Sequence, residues 1–225
     1  MSLYLDQQER ITQDAVKQIN DILLKSIYTV ENWANEPVWK TVKLKESDNL
    51  TQVLERYGKQ THFINFLYVT TMDGSIIAAN SQGKDGTVNP LKLQSTSPIV
   101  VKDLLGEDHQ VAIGHWTFYG DAKKQFVFIP LIVPLFDDQD TVNGAFVGLV
   151  NWEEVFRNLK LAQQKLVDNN FKSAGIAIVD IKSKTVLGSY GNTTIFQHLD
   201  WKIFSDEKPL HKVTDGYATS SKLSF

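Results

Sequence analysis

The segment LYVTTMDGSIIAAN, Leu67 to Asn80, sets two apolar runs about Asp73-Gly74, and AIVDIKSKTVLGSY, Ala177 to Tyr190, aligns with it without a gap 110 residues later. Asp-Gly between such runs is a strong hairpin signal, because a tight turn with positive φ continues the twist of the strands it joins. The copy keeps the apolar runs but has Ser183-Lys184 at the turn. A chain of 225 residues has room for one large domain or two small ones. Whatever fold it adopts must hold this two-stranded unit twice.

Two helices are expected before the first hairpin. From Asp6 to about Asn35 the positions Ile11, Ala15, Ile19, Ile22, Ser26, Val30 and Trp33 recur in steps of three and four, with no Gly or Pro before Pro37. That pattern predicts one long amphipathic helix, which either lies along its own domain or forms a dimerising, signal-transmitting stalk. A second helix fits Ser47 to Gly58, with Ser47 placed to cap and Gly58 to terminate. Strands follow at Phe63 to Thr71 and Ser75 to Ala79.

The segment Ser81 to Pro98 is polar and punctuated by Gly83, Gly86, Pro90 and Pro98, so it reads as a long connection. Long ordered loops are uncommon unless they have a function. A short helix is expected at Ile99 to Leu105, then strands at Val111 to Tyr119, Gln125 to Phe136 and Gly144 to Asn151. Trp152 opens a helix to about Asn169, with Glu153 and Glu154 in the turn where the helix dipole favours them. The second hairpin begins near Ala174, and Trp201 to Phe204 and Tyr217 to Phe225 are weaker elements.

A hydrophobic content of 42% can fill a core, and a net charge of -3 argues against a nucleic-acid surface. With no cysteine there is no thiolate nucleophile, disulfide or Cys-based metal site. The longest apolar run, Phe126 to Phe136, is interrupted by Pro130 and Pro134 and is too short to span a bilayer. Hydrolase, metalloprotease, P-loop and dinucleotide motifs are absent, so no enzyme activity or cofactor is expected. His62, His109, His115, His198 and His211 are scattered. Asp137, Asp138 and Asp140 lack the Gly and terminal Glu of a calcium loop and read as a solvated tip. No secretory leader is evident, and both ends read as cuts through an element, as in a fragment of a larger protein.

The order of elements resembles the double Cache domain, the tandem PAS-like sensor module of bacterial transmembrane receptors. The resemblance is carried by FLYVTTMDGSIIAAN as the entry hairpin, HWTFYGDAKKQFVFIPLIVP as the central long hairpin, and NGAFVGLVNWEEVF as the last strand entering an acidic-headed helix. GIAIVDIKSKTVLGSYG would be the entry hairpin of a second lobe. The implied fold is α+β, a long N-terminal helix before a PAS-like five-stranded antiparallel lobe and a smaller second lobe. That second lobe has some 50 residues, too few to be complete. The implied domains are a stalk helix at 1–36, a membrane-distal lobe at 37–152, a connecting helix at 153–172 and a membrane-proximal lobe at 173–225.

The resemblance implies a periplasmic small-molecule sensor, anchored through flanking membrane helices and fused to a histidine kinase, a chemotaxis signalling domain or a diguanylate cyclase. The alternative is a ligand-free dimerisation module, a homodimer pairing through the Ile11 to Trp33 face. The family's amino-acid-binding subgroup has an Arg and a Trp-Tyr pair after the entry hairpin and an Asp near the end of the last strand. This chain has KDGTVNPLKLQ and Asn151 there, so a standard α-amino acid is not the expected ligand. Alternation over HWTFYGD sets His115, Thr117 and Tyr119 against Trp116 and Phe118. The candidate ligand contacts are Thr70, Lys92, Trp116, Tyr119, Phe128 and Asn151, with no catalytic or metal-binding residues.

Overall fold

The computed structural model describes residues 2–41, 47–84, 86–91, 112–114, 117–121, 124–180, 185–191, 210–213 and 216–219. The chain divides into two compact units, one formed by Leu23–Trp152 and the other by Met1–Ile22 with Glu153–Phe225.

Helix α1 (Ser2–Ala34) is the long helix expected. Every residue of its stripe, Ile11, Ala15, Ile19, Ile22, Ser26, Val30 and Trp33, is buried within the chain. The stripe is therefore a packing face, and the partner-helix reading of Ile11 to Trp33 loses its surface. Leu24 and Tyr28, one turn apart, are large apolar side chains that α1 leaves exposed.

In the unit Leu23–Trp152, a short helix α2 (Val38–Thr41), absent from the sequence expectation, precedes α3 (Ser47–Gly58). The strands are β1 (Ile64–Thr71), β2 (Ile76–Ala79), β3 (Ala112–Ile113), β4 (Thr117–Asp121), β5 (Lys124–Phe136) and β6 (Val142–Asn151). They form one antiparallel sheet in the order β2-β1-β6-β5-β3, with β4 also paired to β5. The single strand expected from Val111 to Tyr119 is thus two short ones sharing one side of β5. The first ends where Gly114 donates its N–H to the carbonyl of Pro130 at 2.9 Å. A β-carbon on Gly114 would stand 2.5 Å from Cγ of Pro130, an approach only glycine permits.

The first hairpin also differs from the tight turn expected. Thr71 N–H bonds Ser75 O and Gly74 N–H bonds Thr71 O, and only Gly74, at φ 88°, is left-handed. This is a three-residue loop, a helical turn closed by one left-handed residue. The tip at Asp137–Thr141 repeats it, with Asp140 at φ 56° in the glycine's place. Asp137 Oδ1 accepts the amides of Gln139 and Thr141, each at 2.9 Å, which accounts for that carboxylate without a cation. The polar connection after β2 begins as a closed loop, since Gly83 N–H bonds Thr87 O and Asn89 N–H bonds Ser81 O. The helix expected at Ile99 to Leu105 lies outside the described residues.

Alternation splits the sheet into two faces. Val30 of α1 and the rings of Trp39 and Tyr57 cover one face, with Trp39 edge-on to Phe146 at 5.2 Å and Tyr57 stacked on Trp33 at 4.9 Å. The other face carries Phe66, Tyr68, Ala79, Phe128, Ile132, Ala145, Val147 and Leu149 in one buried cluster with Leu91.

In the other unit, α4 (Trp152–Asp168) leads to a two-stranded sheet of β7 (Gly175–Asp180) and β8 (Thr185–Gly191), and β9 (Leu210–Val213) pairs with β10 (Gly216–Thr219). The repeated segments are both hairpins, as the duplication predicts. Each shifts register near the turn end of its first strand, between Val69 and Thr70 and between Ile178 and Val179. Phe156 of α4 packs on Gly188 so closely that a β-carbon there would lie 2.2 Å from the ring. The element expected at Trp201 to Phe204 lies outside the described residues.

Candidate ligand-binding site

The helix-covered face of the larger sheet is occupied by packing, which leaves the face of Phe66, Tyr68 and Phe128 as the candidate site. Strand register decides which of the expected contacts share a neighbourhood. Phe128 on β5 stands opposite Asn151 at the end of β6, and on its other side opposite Thr117 of β4. Tyr119 is two register positions further along β4, opposite Phe126. Phe128 is buried and meets Phe66 edge-on at 5.2 Å.

Thr70 is on the same face but does not join this group. It pairs with Ala145, six residues along β6 from Asn151, which at a strand rise of ~3.3 Å is about 20 Å away. Neighbouring strands do bring Thr70, Phe128 and Asn151 into one sheet, with Thr70 far along it from the other two. A shared sheet does not mean a shared position along it. The Thr70 hydroxyl is fully buried and has no hydrogen-bond partner among the described residues. Lys92 and Trp116 lie outside the described residues.

Asn151 is held by a set of buried asparagines that the sequence reading missed. Its Nδ2 donates to Asn65 Oδ1 at 3.2 Å and to His62 O at 3.4 Å. Asn65 is the extra residue of a bulge in β1, since Ile64 pairs with Val150 and Phe66 with Leu149. Its carbonyl accepts Nδ2 of Asn80 at 3.3 Å.

Asn80 terminates β2 by standing in for a peptide group. Its backbone N–H bonds Leu67 O at 3.0 Å, while its side-chain Oδ1, not its own carbonyl, accepts Leu67 N–H at 2.7 Å. The carbonyl thus released takes Nδ2 of Asn89 at 2.9 Å, and Asn89 Oδ1 accepts the amide of Leu91 at 3.0 Å. Asn65, Asn80, Asn89 and Asn151 are all buried, and paired in this way they escape the cost of an unsatisfied polar group. The signal open to a sequence reader was Asn65 inside the apolar run INFLYV and Asn80 closing IIAAN, both out of place in strand interiors unless bonded.

Among the described residues no group of His, Cys, Asp or Glu could hold a metal, and no helix is long and apolar enough to cross a membrane. The site face carries no charged side chain among the described members of its cluster. It can enclose apolar surface and present amide and hydroxyl groups at its edges.

No protein-family model matches the chain, and no curated protein sequence matches it. Solved structures do. An extracellular ligand-binding receptor from Desulfohalobium retbaense superposes with a TM-score of 0.56 at 15% identity, over 89% of this chain and 34% of that one. The ligand-binding domain of the Campylobacter jejuni chemoreceptor Tlp3 in complex with 4-methylisoleucine gives 0.54 at 13%, over 84% and 71%. The same domain in complex with L-valine gives 0.53 at 14%, over 91% and 76%. This chain thus spans about a third of the Desulfohalobium receptor. The fold is that of extracytoplasmic sensory and ligand-binding domains, as the resemblance implied. Setting α-amino acids aside is not borne out, because Tlp3, which shares the fold, is the domain holding L-valine and 4-methylisoleucine. Of KDGTVNPLKLQ, the segment that has neither the Arg nor the aromatic pair, Asp85 and Lys92 to Gln94 lie outside the described residues.

Proposed function

We propose that this chain is the periplasmic small-molecule sensing domain of a bacterial signal-transduction receptor, binding its ligand on the Phe66–Phe128 face of the larger sheet, at the Asn151 end. The reading rests above all on one observation. The fold shared with ligand-bound chemoreceptor domains here has one sheet face packed by helices and the other lined by an apolar cluster that ends at a buried amide. Pockets for small molecules are mostly apolar walls with a few placed polar groups. The apolar lining from Phe66, Leu91, Val147 and Leu149 suits a compact aliphatic molecule, and the Tlp3 ligands make aliphatic amino acids the first class to try.

On this reading residues 37–152 form the membrane-distal lobe and 173–225 the membrane-proximal one. The output is a kinase, a chemotaxis domain or a diguanylate cyclase, reached through α1 and flanking membrane helices. The domain binds without catalysing. Ligand acts by favouring one of two arrangements to the extent that it binds them differently.

Thermal unfolding with L-valine, 4-methylisoleucine and a broad metabolite set tests the proposal. A cognate compound at about a hundred times its dissociation constant adds roughly 2.7 kcal/mol of stability. That shift should vanish in Phe128→Ala. A flat response to every compound sinks the reading.

A further inference from the structure

The asparagines of the site form one continuous path, and its two ends carry different parts of the site. At one end Asn151 faces Phe128 across the sheet. At the other, Asn89 fixes the amide of Leu91, itself a fully buried member of the site cluster. Between them every link is a hydrogen bond: Asn151 Nδ2 to Asn65 Oδ1, Asn80 Nδ2 to Asn65 O, and Asn89 Nδ2 to Asn80 O and Oδ1 at 2.9 and 3.0 Å.

We infer that Asn65 and Asn80 are positioning residues that couple Asn151 to Leu91, so that a change at the Asn151 amide alters how firmly Leu91 is held in the site cluster. This rests on the sensing reading for its purpose, though not for its geometry. Hydrogen bonds in a buried network polarise and orient one another, and a partly satisfied network is worse than a complete one. Both Nδ2 protons of Asn151 are engaged, toward Asn65 and His62. A bound molecule that draws this amide toward itself takes a donor from Asn65. Asn65 sits in a bulge, where the ladder is already interrupted and the backbone has room to turn. Its carbonyl, with that of Gln82, accepts Nδ2 of Asn80, whose side chain simultaneously closes β2 and anchors Asn89. Gly58 guards this hub, because a β-carbon there would stand 2.9 Å from Asn80 Nδ2.

Amide hydrogen exchange on the ligand-free chain tests the coupling. Asn89→Ala removes the acceptor of the Leu91 amide and sets the scale for its release. Asn151→Ala and, independently, Asn65→Ser should speed exchange at Leu91 by about tenfold beyond any change in β5, while the Gly74 and Ser75 amides of the hairpin turn keep their rates. The inference is overturned if Leu91 answers to Asn89→Ala alone. It is equally overturned if Asn151→Ala and Asn65→Ser accelerate all amides of the sheet alike, with no excess at Leu91. No ligand is involved, so failure here leaves the sensing reading intact, and a failed ligand screen leaves the coupling intact.

Discussion

A β-carbon on Gly148 would stand 2.6 Å from Cγ2 of Val30, so α1 and β6 meet at a point that tolerates only glycine. On either side of Gly148, Val147 and Leu149 face the opposite way, into the site cluster. Movement of β6 normal to the sheet therefore bears on α1 at Val30. Gly148→Ala overpacks this contact and is expected to cost about 1–3 kcal/mol in denaturant unfolding. Adding Val30→Ala to it should recover part of that loss, giving a double variant more stable than the sum of the single changes. Strict additivity would show that the two residues do not bear on each other.

The Thr70 hydroxyl is a buried polar group with no partner among the described residues. Thr70→Val keeps the shape and removes the oxygen, so the ligand-free protein should gain roughly 1 kcal/mol. An equal loss, measured by the denaturation midpoint at unchanged slope, would mean that the hydroxyl is satisfied in solution.

Asp73 is exposed, and its carboxyl is held below the ordinary carboxylate range, chiefly by the Thr71 hydroxyl and then by the backbone amide of Ser75. A depressed folded-state pKa contributes stability above the unfolded value of 3.8 that disappears as pH falls through the folded value. Wild type should therefore be more stable than Asp73→Asn at neutral pH, and the two curves should converge below 3.8. Parallel curves down to strongly acid pH would refute the role of the charge.

Burial raises the Tyr57 phenol well above its ordinary pKa, and the hydrogen bond and negative charge of Glu36 add to the effect. Its raised value means stability fully present below about pH 10 and lost only as pH climbs past it. Ultraviolet titration of tyrosinate should find that Tyr57→Phe removes no step near pH 10. Loss of such a step would place the phenol in water.

The sequence declares the elements whose causes are local. Asp73-Gly74 between apolar runs marks a hairpin, and steps of three and four from Ile11 to Trp33 mark a helix, because turn chemistry and periodicity act within a few residues. It conceals what depends on distant partners. Gly114 looks like any glycine until Pro130 is set against it, and so one strand was read where there are two. Thr70 and Asn151 are equally plausible contacts in a list of strand residues, and only the register of β1 on β6 reveals the distance between them. Asn65 stands inside an apolar strand, Asn80 closes another and Asn89 lies in a polar connection. Their value lies in one another, at separations of 9 and 15 residues.

The prolines of β5 make its two sides unequal. Gly114 bonds the carbonyl of Pro130, which shows that the even-numbered residues of this strand turn their peptide groups away from β6. Pro134 follows the same parity, four residues further along the strand. A proline has no N–H to give, so at Pro130 and Pro134 that side of β5 offers a carbonyl with no donor beside it. A strand lying on that side of β5 is thus held by fewer bonds than one lying on the β6 side.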